Sequence, residues 1–342
     1  MSTSQSTQND VVDIIMPVFN SCEYTRQCLE TIIQHVRIPV RVLIIDNAST
    51  DDTSVIIDRL REQCPRHIEI SRIANTVNKG WLHAVNQGIE LSKAPYIIIS
   101  NNDILVYPNA LEEMISVAEA DARIGLVNPN SNEFGALASV QKVPLPASVE
   151  RNYHESKGLS VERCSVIGFF ALVKREVVQK IGGFDPAYSP GYSEDDDYSE
   201  RARVEGYLCA RALGAYVHHF GSKSFQTDQK KALKQRHETI LRKRWGALRR
   251  EAVLVRGNDL RDREQAESFC EKLKERLRKR TGYIYVFVPK SKRSLFALNH
   301  DYLRIKTYPS RGMGTLFFFL WRIFRKKSKP VVVISPDMLQ DE

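Results

Sequence analysis

The sequence predicts an α/β fold with a mostly parallel central sheet. Three apolar runs rich in β-branched residues carry that expectation: residues 11–18 (VVDIIMPV), 40–45 (VRVLII) and 96–100 (YIIIS). Between them lie stretches with helical spacing. Strands alternating with helices of roughly 10–15 residues point to a sheet covered on both faces.

The elements follow in order. The first run is a buried strand closed by Pro17 and Asn20. Residues 21–36 place Tyr24, Cys28, Leu29, Ile32 and Ile33 on one helical face, and residues 53–63 do the same with Val55, Ile56 and Leu60. The second strand stops at Asp46. Residues 67–73 read as a short strand, 80–92 as a helix, 96–100 as a third strong strand, 108–121 as a helix and 125–130 as a strand. Residues 131–160 contain Pro and Ser and lack a clear period, which predicts a loop or mobile flap. A strand with Gly168 inside it is expected over 165–174, a short helix ended by Gly182 and Gly183 over 176–181, and a further helix over 195–204. Beyond Phe225 the composition changes. Residues 230–250 and 262–280 are basic and helical, whereas 283–288 (YIYVFV) and 330–334 read as strands. An aromatic segment at 315–324 (TLFFFLWRIF) precedes Arg325, Lys326 and Lys327. It suits either the core of a small α/β unit or contact with a lipid interface.

The chain has 342 residues, of which 42% are hydrophobic, enough for one large core and a second unit. Charge divides it: residues 1–225 hold 21 Lys and Arg against 28 Asp and Glu, residues 226–342 hold 29 against 13. This suggests a disordered polar start at 1–10, an acidic domain over 11–225 and a basic extension over 226–342 that is α/β or helical. An acidic domain can hold a metal; a basic tail can meet anionic lipid, giving peripheral contact with a membrane's inner face. The six cysteines form no C-x-x-C pair and read as reduced thiols of a cytoplasmic protein. The first residues lack the apolar core of a signal peptide, and no apolar run reaches the ~18–20 residues of a bilayer span.

Four polar constellations carry chemistry. In parallel sheets, ligands bind beyond the carboxyl ends of the strands. Asp46-Asn47 with Ser49 and Asp51 follows the second strand; a carboxylate there can accept from a base imide or a ribose hydroxyl, although Ser49 and Asp51 also suit a helix start. Asn101-Asn102-Asp103 follows the third strand, and one carboxylate flanked by amides suits a hard divalent ion shared with a diphosphate. Glu194 to Asp197 are four consecutive acids preceded by the flexible turns of Gly182-Gly183-Phe184-Asp185 and Gly191, and one of them can act as general base. His218-His219 offers imidazole to a divalent metal.

Taken in order, PVFN, IIDNASTDDT, N-x-K-G, SNND, G-F-F-A-L-V-K-R, G-G-F-D, S-E-D-D-D-Y and H-x-G-S resemble family 2 glycosyltransferases of the GT-A fold, in a rhamnosyltransferase-like variant. The likeness covers roughly 11–225. It implies an inverting enzyme that moves a sugar from a nucleotide-diphosphate donor, UDP- or dTDP-linked, to a glycan, lipid-linked or protein acceptor. It further implies that Pro17, Val18, Phe19, Asn20, Asp46, Asn47, Asp51, Asn78, Lys79, Gly80, Asn101 and Asn102 line the nucleotide. Asp103 and His219 would bind Mn2+ or Mg2+, with His218 as the alternative imidazole. Asp195 would be the catalytic base beside Glu194, and Asp197 and Arg201 match the extended acidic motif. Asn101 stands where the family's metal motif has its first Asp, which removes one carboxylate. Two rivals are a sugar nucleotidyltransferase, whose Gly-rich basic loop is missing after the first strand, and a non-catalytic sugar-nucleotide binder. No base-reading motif supports a nucleic-acid partner.

Overall fold

The computed structural model describes residues 12–132, 147–221, 227–256, 259–297, 300–308 and 331–334. Two compact units emerge: Met1–Ser160 with Ser165–Leu241, and Val161–Cys164 with Arg242–Glu342. The sequence-based division lies at 225/226; in the structure residues 227–241 belong to the first unit.

In chain order the first unit contains β1 (Val12–Val18), α1 (Cys22–His35), β2 (Val40–Asp46), α2 (Thr53–Glu62), β3 (Ile68–Ala74), α3 (Trp81–Leu91), β4 (Tyr96–Ser100), β5 (Ile104–Val106), α4 (Ala110–Ala120), β6 (Ile124–Asn130) and α5 (Ala147–Glu155). After the short β7 (Ser160–Arg163), which but for Ser160 is assigned to the second unit, come β8 (Phe170–Lys174), α6 (Arg175–Ile181), α7 (Glu194–Val204), β9 (Leu208–His219) and α8 (Thr227–Trp245), of which the residues up to Leu241 belong to the first unit. The sheet runs β3-β2-β1-β4-β8-β6-β9-β5. Its first four strands are parallel, β8 is antiparallel to both neighbours, and β5 is antiparallel to β9.

Period-two alternation explains the layers. On β1, Val12, Ile14, Met16 and Val18 pack into one cluster with Leu29 and Ile32 of α1, Ile57 of α2 and Met114 of α4. Ile15 points the other way, into a cluster with Val85 of α3, Val177 of α6 and Tyr198 of α7, against which Ile240 and Leu241 of α8 also pack. Register fixes where the site forms. Val18 is level with Asp46, and Asp46 with Ala74, so the loops leaving β1, β2 and β3 start side by side.

Several elements differ from expectation. Within 131–160 the structure has α5 and the first residue of β7; residues 133–146 lie outside the described residues. The strand expected over 165–174 begins only at Phe170. The twelve-residue β9 carries little strand signal in its sequence because LCARALGAYVHH is rich in Ala, which has weak strand propensity. Three-residue β5 is too short to show a period.

The second unit comprises β10 (Arg249–Leu254), α9 (Arg263–Lys279), β11 (Gly282–Pro289), β12 (Leu303–Tyr308) and β13 (Val331–Ile334). Its sheet is all parallel, in the order β12-β11-β10-β13. Residues 249 and 250, expected in a helix, begin β10, which lies between β11 and β13. Helix α9 starts at Asp262, whose carboxylate accepts the Gln265 N–H. It buries Ala266, Phe269, Cys270, Leu273 and Leu277 in the unit's core. The apolar stripe of this basic helix is therefore spent on its own sheet and is not free for a lipid interface. The segments 1–10 and 315–324 lie outside the described residues. No described helix is long and apolar enough to cross a membrane.

Candidate active site

The loops after β1 and β2 are stitched together. Asn20 and Ser21 take left-handed φ of 55° and 62° and turn the chain off β1. The Asn20 N–H donates to Ser49 Oγ (2.8 Å), and Asn20 Oδ1 accepts the Thr50 N–H (2.8 Å). Asp51 accepts from Cys22 N and from both Thr53 N and Thr53 Oγ1, so its carboxylate ties α1 to α2. Buried Asp46 accepts the Ser49 N–H (2.9 Å) and pairs with Arg72 (3.1 Å). Each of its oxygens thus already has a protein donor and only a second lone pair to offer. Pro17 and Val18 are buried strand residues, whereas Phe19 is 48% exposed, so Phe19 and Asn20 are the members of that quartet able to meet a ligand.

Along the same rim, Asn47 Nδ2 donates to Gly80 O (3.1 Å), and Asn78 Oδ1 accepts the Gly80 N–H (2.8 Å). Gly80 has φ +86°, and a Cβ there would lie 3.3 Å from Pro190 Cβ. Gly thus serves both the left-handed turn and the approach of the 189–193 loop. Lys79 beside it is exposed.

The loop after β4 meets the end of β9. Because Ile104 pairs with His219, Asp103 Oδ1 lies 3.3 Å from His219 Nε2. The Asn101 amide nitrogen is also 3.3 Å from that ring nitrogen. His219 is held by Asn132, which accepts its N–H (2.8 Å) and donates to its carbonyl (2.9 Å), and by Phe169, stacked at 4.9 Å. His218 faces elsewhere: its Nδ1 is 3.4 Å from Tyr216 Oη and its ring edge meets Phe220. Asn102 donates to Thr25 Oγ1 and so braces the loop on α1. Among the described residues no group of three or more His, Cys, Asp or Glu forms a metal cage. One carboxylate and one imidazole facing each other nevertheless fit a cation that takes its remaining ligands from a diphosphate and water.

The acidic cluster opens α7. Asp195 accepts backbone N–H bonds from Asp196 and Gly168. Burial, then the neighbouring Glu194 charge, pushes its carboxyl up to about 7; burial does the same to Glu194, also to about 7. Glu194 Oε2 is buried with no hydrogen-bond partner among the described residues. Asp197 is different. Fully buried, it accepts from Tyr188 Oη (3.2 Å) and Arg201 Nε (3.0 Å), while Arg201 also donates to Ile181 O and Gly183 O. Asp197 and Arg201 clamp α7 to the end of α6.

Trp81, which the quoted motifs do not contain, joins these parts together with Gly168 and Phe169 of the G-F-F-A-L-V-K-R motif. The Trp81 indole N–H donates to Asn101 Oδ1 (3.0 Å), and a Cβ on Gly168 would lie 3.1 Å from that indole. Phe169 O accepts the Asn101 N–H (2.8 Å). The Gly168-Phe169 segment therefore touches Asp195 at one residue and the Asn101 and His219 pair at the next. Trp81 opens α3 directly after N-x-K-G, but nothing in its spacing distinguishes it from a core aromatic.

The glycosyl transferase family 2 model matches residues 13–182. That stretch, just under half of the chain, resembles a glycosyl transferase family 2 domain. Asp195 and His219 lie beyond the matched stretch of that domain. Glycosyltransferase GlyG of Streptococcus pneumoniae is 29% identical over 122 residues, 35% of this chain and 39% of GlyG. The poly-beta-1,6-N-acetyl-D-glucosamine synthase of Staphylococcus epidermidis is 22% identical over 185 residues, 53% of this chain and 44% of the synthase. The chain thus spans less than half the length of these curated relatives. Among solved structures, the mannosyltransferase PcManGT from Pyrobaculum calidifontis, in complex with GDP-Man and Mn2+, superposes with a TM-score of 0.52 at 21% identity, covering 69% of this chain and 65% of PcManGT. That likeness identifies the architecture of the family 2 domain as the GT-A fold.

Proposed function

We propose that the chain is an inverting glycosyltransferase that moves a sugar from a nucleotide-diphosphate donor to a glycan, lipid-linked or protein acceptor. The observation that carries the reading is the path from Asp103 and His219, through Asn101, Trp81 and Gly168, to Asp195. Diphosphate chemistry and proton removal then sit on adjoining stretches of one strand-end rim.

In this reading Phe19 stacks on the nucleotide base, and Asp46 and Asn47 order the loop that receives base and ribose. Asn78 to Gly80 shape the diphosphate side, with the Lys79 ammonium available to phosphate. Asp103 and His219 hold a divalent cation, Mn2+ or Mg2+, which when bound offsets charge growing on the departing diphosphate. Asp195 takes the proton from the acceptor hydroxyl as that oxygen forms its bond to the anomeric carbon and the bond to the diphosphate oxygen breaks. A carboxyl raised to about 7 is well matched to that task near neutral pH. Transfer in one displacement inverts the anomeric centre and needs no nucleophilic carboxylate.

The test is a panel of UDP-, dTDP- and GDP-sugars incubated with the protein and Mn2+ or Mg2+, following nucleoside diphosphate release. We expect one base to support metal-dependent release, with UDP and dTDP first in line. Release of pyrophosphate from a nucleoside triphosphate and sugar phosphate would instead identify a nucleotidyltransferase. Tight binding with no turnover of any donor would identify a binding protein.

A further inference from the structure

Helix α8 is strongly basic, yet its His237 is fully buried in the first unit. The ring nitrogen Nδ1 lies 2.9 Å from Gly191 O and 3.1 Å from Tyr192 O. Both are carbonyl acceptors, so Nδ1 carries the proton and donates to the pair. Nε2 is buried with no hydrogen-bond partner among the described residues. A buried polar atom left unmatched disfavours the fold, so the ring's placement answers to the Nδ1 contact rather than to full satisfaction of the imidazole.

The turn it grips is strained. Tyr192 and Ser193 have φ of 76° and 67°, a region that side chains other than Gly, Asn and Asp rarely occupy. Such residues persist only where their surroundings over-determine them. Here the surroundings come from one face of α8. Lys234, one turn before His237, places its ammonium 5.1 Å from the Tyr192 ring centroid. Ile240 and Leu241, on the same face, anchor the helix in the core. Tyr188 stands edge-on to the His237 ring at 5.7 Å and hydrogen-bonds Asp197 through its hydroxyl. The 188–197 segment is thereby gripped from α8 and from within α7.

We propose that His237 is a positioning residue: its Nδ1–H holds the Gly191 and Tyr192 carbonyls and so sets the left-handed Tyr192-Ser193 turn that presents Glu194 and Asp195 to the acceptor. The catalytic part of this statement rests on the glycosyltransferase reading; the hold on the turn does not. His237 touches no reacting atom and acts through the backbone.

The test compares His237→Leu, which removes the donor, with His237→Asn, whose amide N–H falls where Nδ1 stands. Should the Leu protein fail to fold, His237→Gln, whose amide reaches toward the Nε2 position, is the control with the donor misplaced. Sugar transfer and amide hydrogen exchange over residues 189–196 are both measured. Loss of the donor is expected to lower kcat about tenfold or more while donor KM stays within about twofold, the pattern of lost transition-state positioning. Exchange over 189–196 should quicken in the same protein, and His237→Asn should recover most of both. Unchanged exchange on loss of the donor, or an Asn protein no better than the Leu or Gln protein, overturns the assignment. If the wild type transfers no sugar, the glycosyltransferase reading fails, and exchange alone still decides whether His237 holds the turn.

Discussion

Asp103 Oδ1 and His219 Nε2 lie 3.3 Å apart although they leave different strands, because the antiparallel register of β5 on β9 sets Ile104 against His219. If Nε2 bears a proton it satisfies Asp103. If it bears its lone pair, two acceptors face each other, and a cation resolves the conflict. The same register buries His219 behind Phe169 and leaves Asp103 at the rim.

Transfer should depend on pH through the Glu194-Asp195 pair. Both carboxyls are pushed up to about 7, chiefly by burial. A general base works only when ionised, so kcat/KM should rise with pH and level off above about 7, with the midpoint belonging to the pair. Glu194 raises Asp195 by its charge. Glu194→Gln should therefore move the acidic limb to lower pH in a stopped-assay pH profile.

The same shift predicts a stability effect. Asp195 holds its proton more tightly in the fold than at its ordinary value of 3.8. Its contribution is complete below that value and is lost as pH rises through about 7. Asp195→Asn should therefore be more stable than wild type at pH 8, by roughly 1–3 kcal/mol, with the gain shrinking toward pH 4. Thermal unfolding at the two pH values checks it.

Arg201 should matter to folding before it matters to chemistry. Removing it takes the guanidinium from the fully buried Asp197 carboxylate, which keeps the Tyr188 hydroxyl, and from two carbonyls. Loss of one partner from a buried ion pair typically costs about 3–5 kcal/mol. Urea unfolding of Arg201→Met should show a loss of that size, and the folded fraction should retain its donor affinity.

Much of this was legible from sequence, and for a physical reason. Strands β1, β2 and β4 are buried on both faces, so they read as apolar runs, interrupted at Asp13 and Arg41, which pair with each other, and the polar residues after each run mark the ligand edge. Asn20, Asp46 and Asp103 are visible that way, whereas Asp195 is visible as part of the acidic cluster that opens α7. Residues that join the parts are not. Trp81, Asn132 and His237 act through hydrogen bonds to a distant segment, and no local period records such contacts. Asp51 and Asn102 show the converse: motif positions whose side chains tie loops to α1.

Trp81 offers a test of that joining role. Trp81→Phe deletes the N–H to Asn101 and keeps the ring, and Gly168→Ala brings a methyl to within 3.1 Å of the indole. Each should lower kcat by about tenfold, as small displacements of positioned groups do. Tm should fall little in the first and more in the second; activity and differential scanning fluorimetry together separate the two.

The most direct measurement is calorimetric titration of the cognate nucleoside diphosphate, with and without Mn2+, into wild type, Asp103→Ala and Asp195→Asn. One cation centre with a separate base predicts that Asp103→Ala loses the metal-dependent part of binding, whereas Asp195→Asn binds as wild type does and transfers no sugar. Equal loss of binding in both proteins, or binding indifferent to metal in all three, would contradict it.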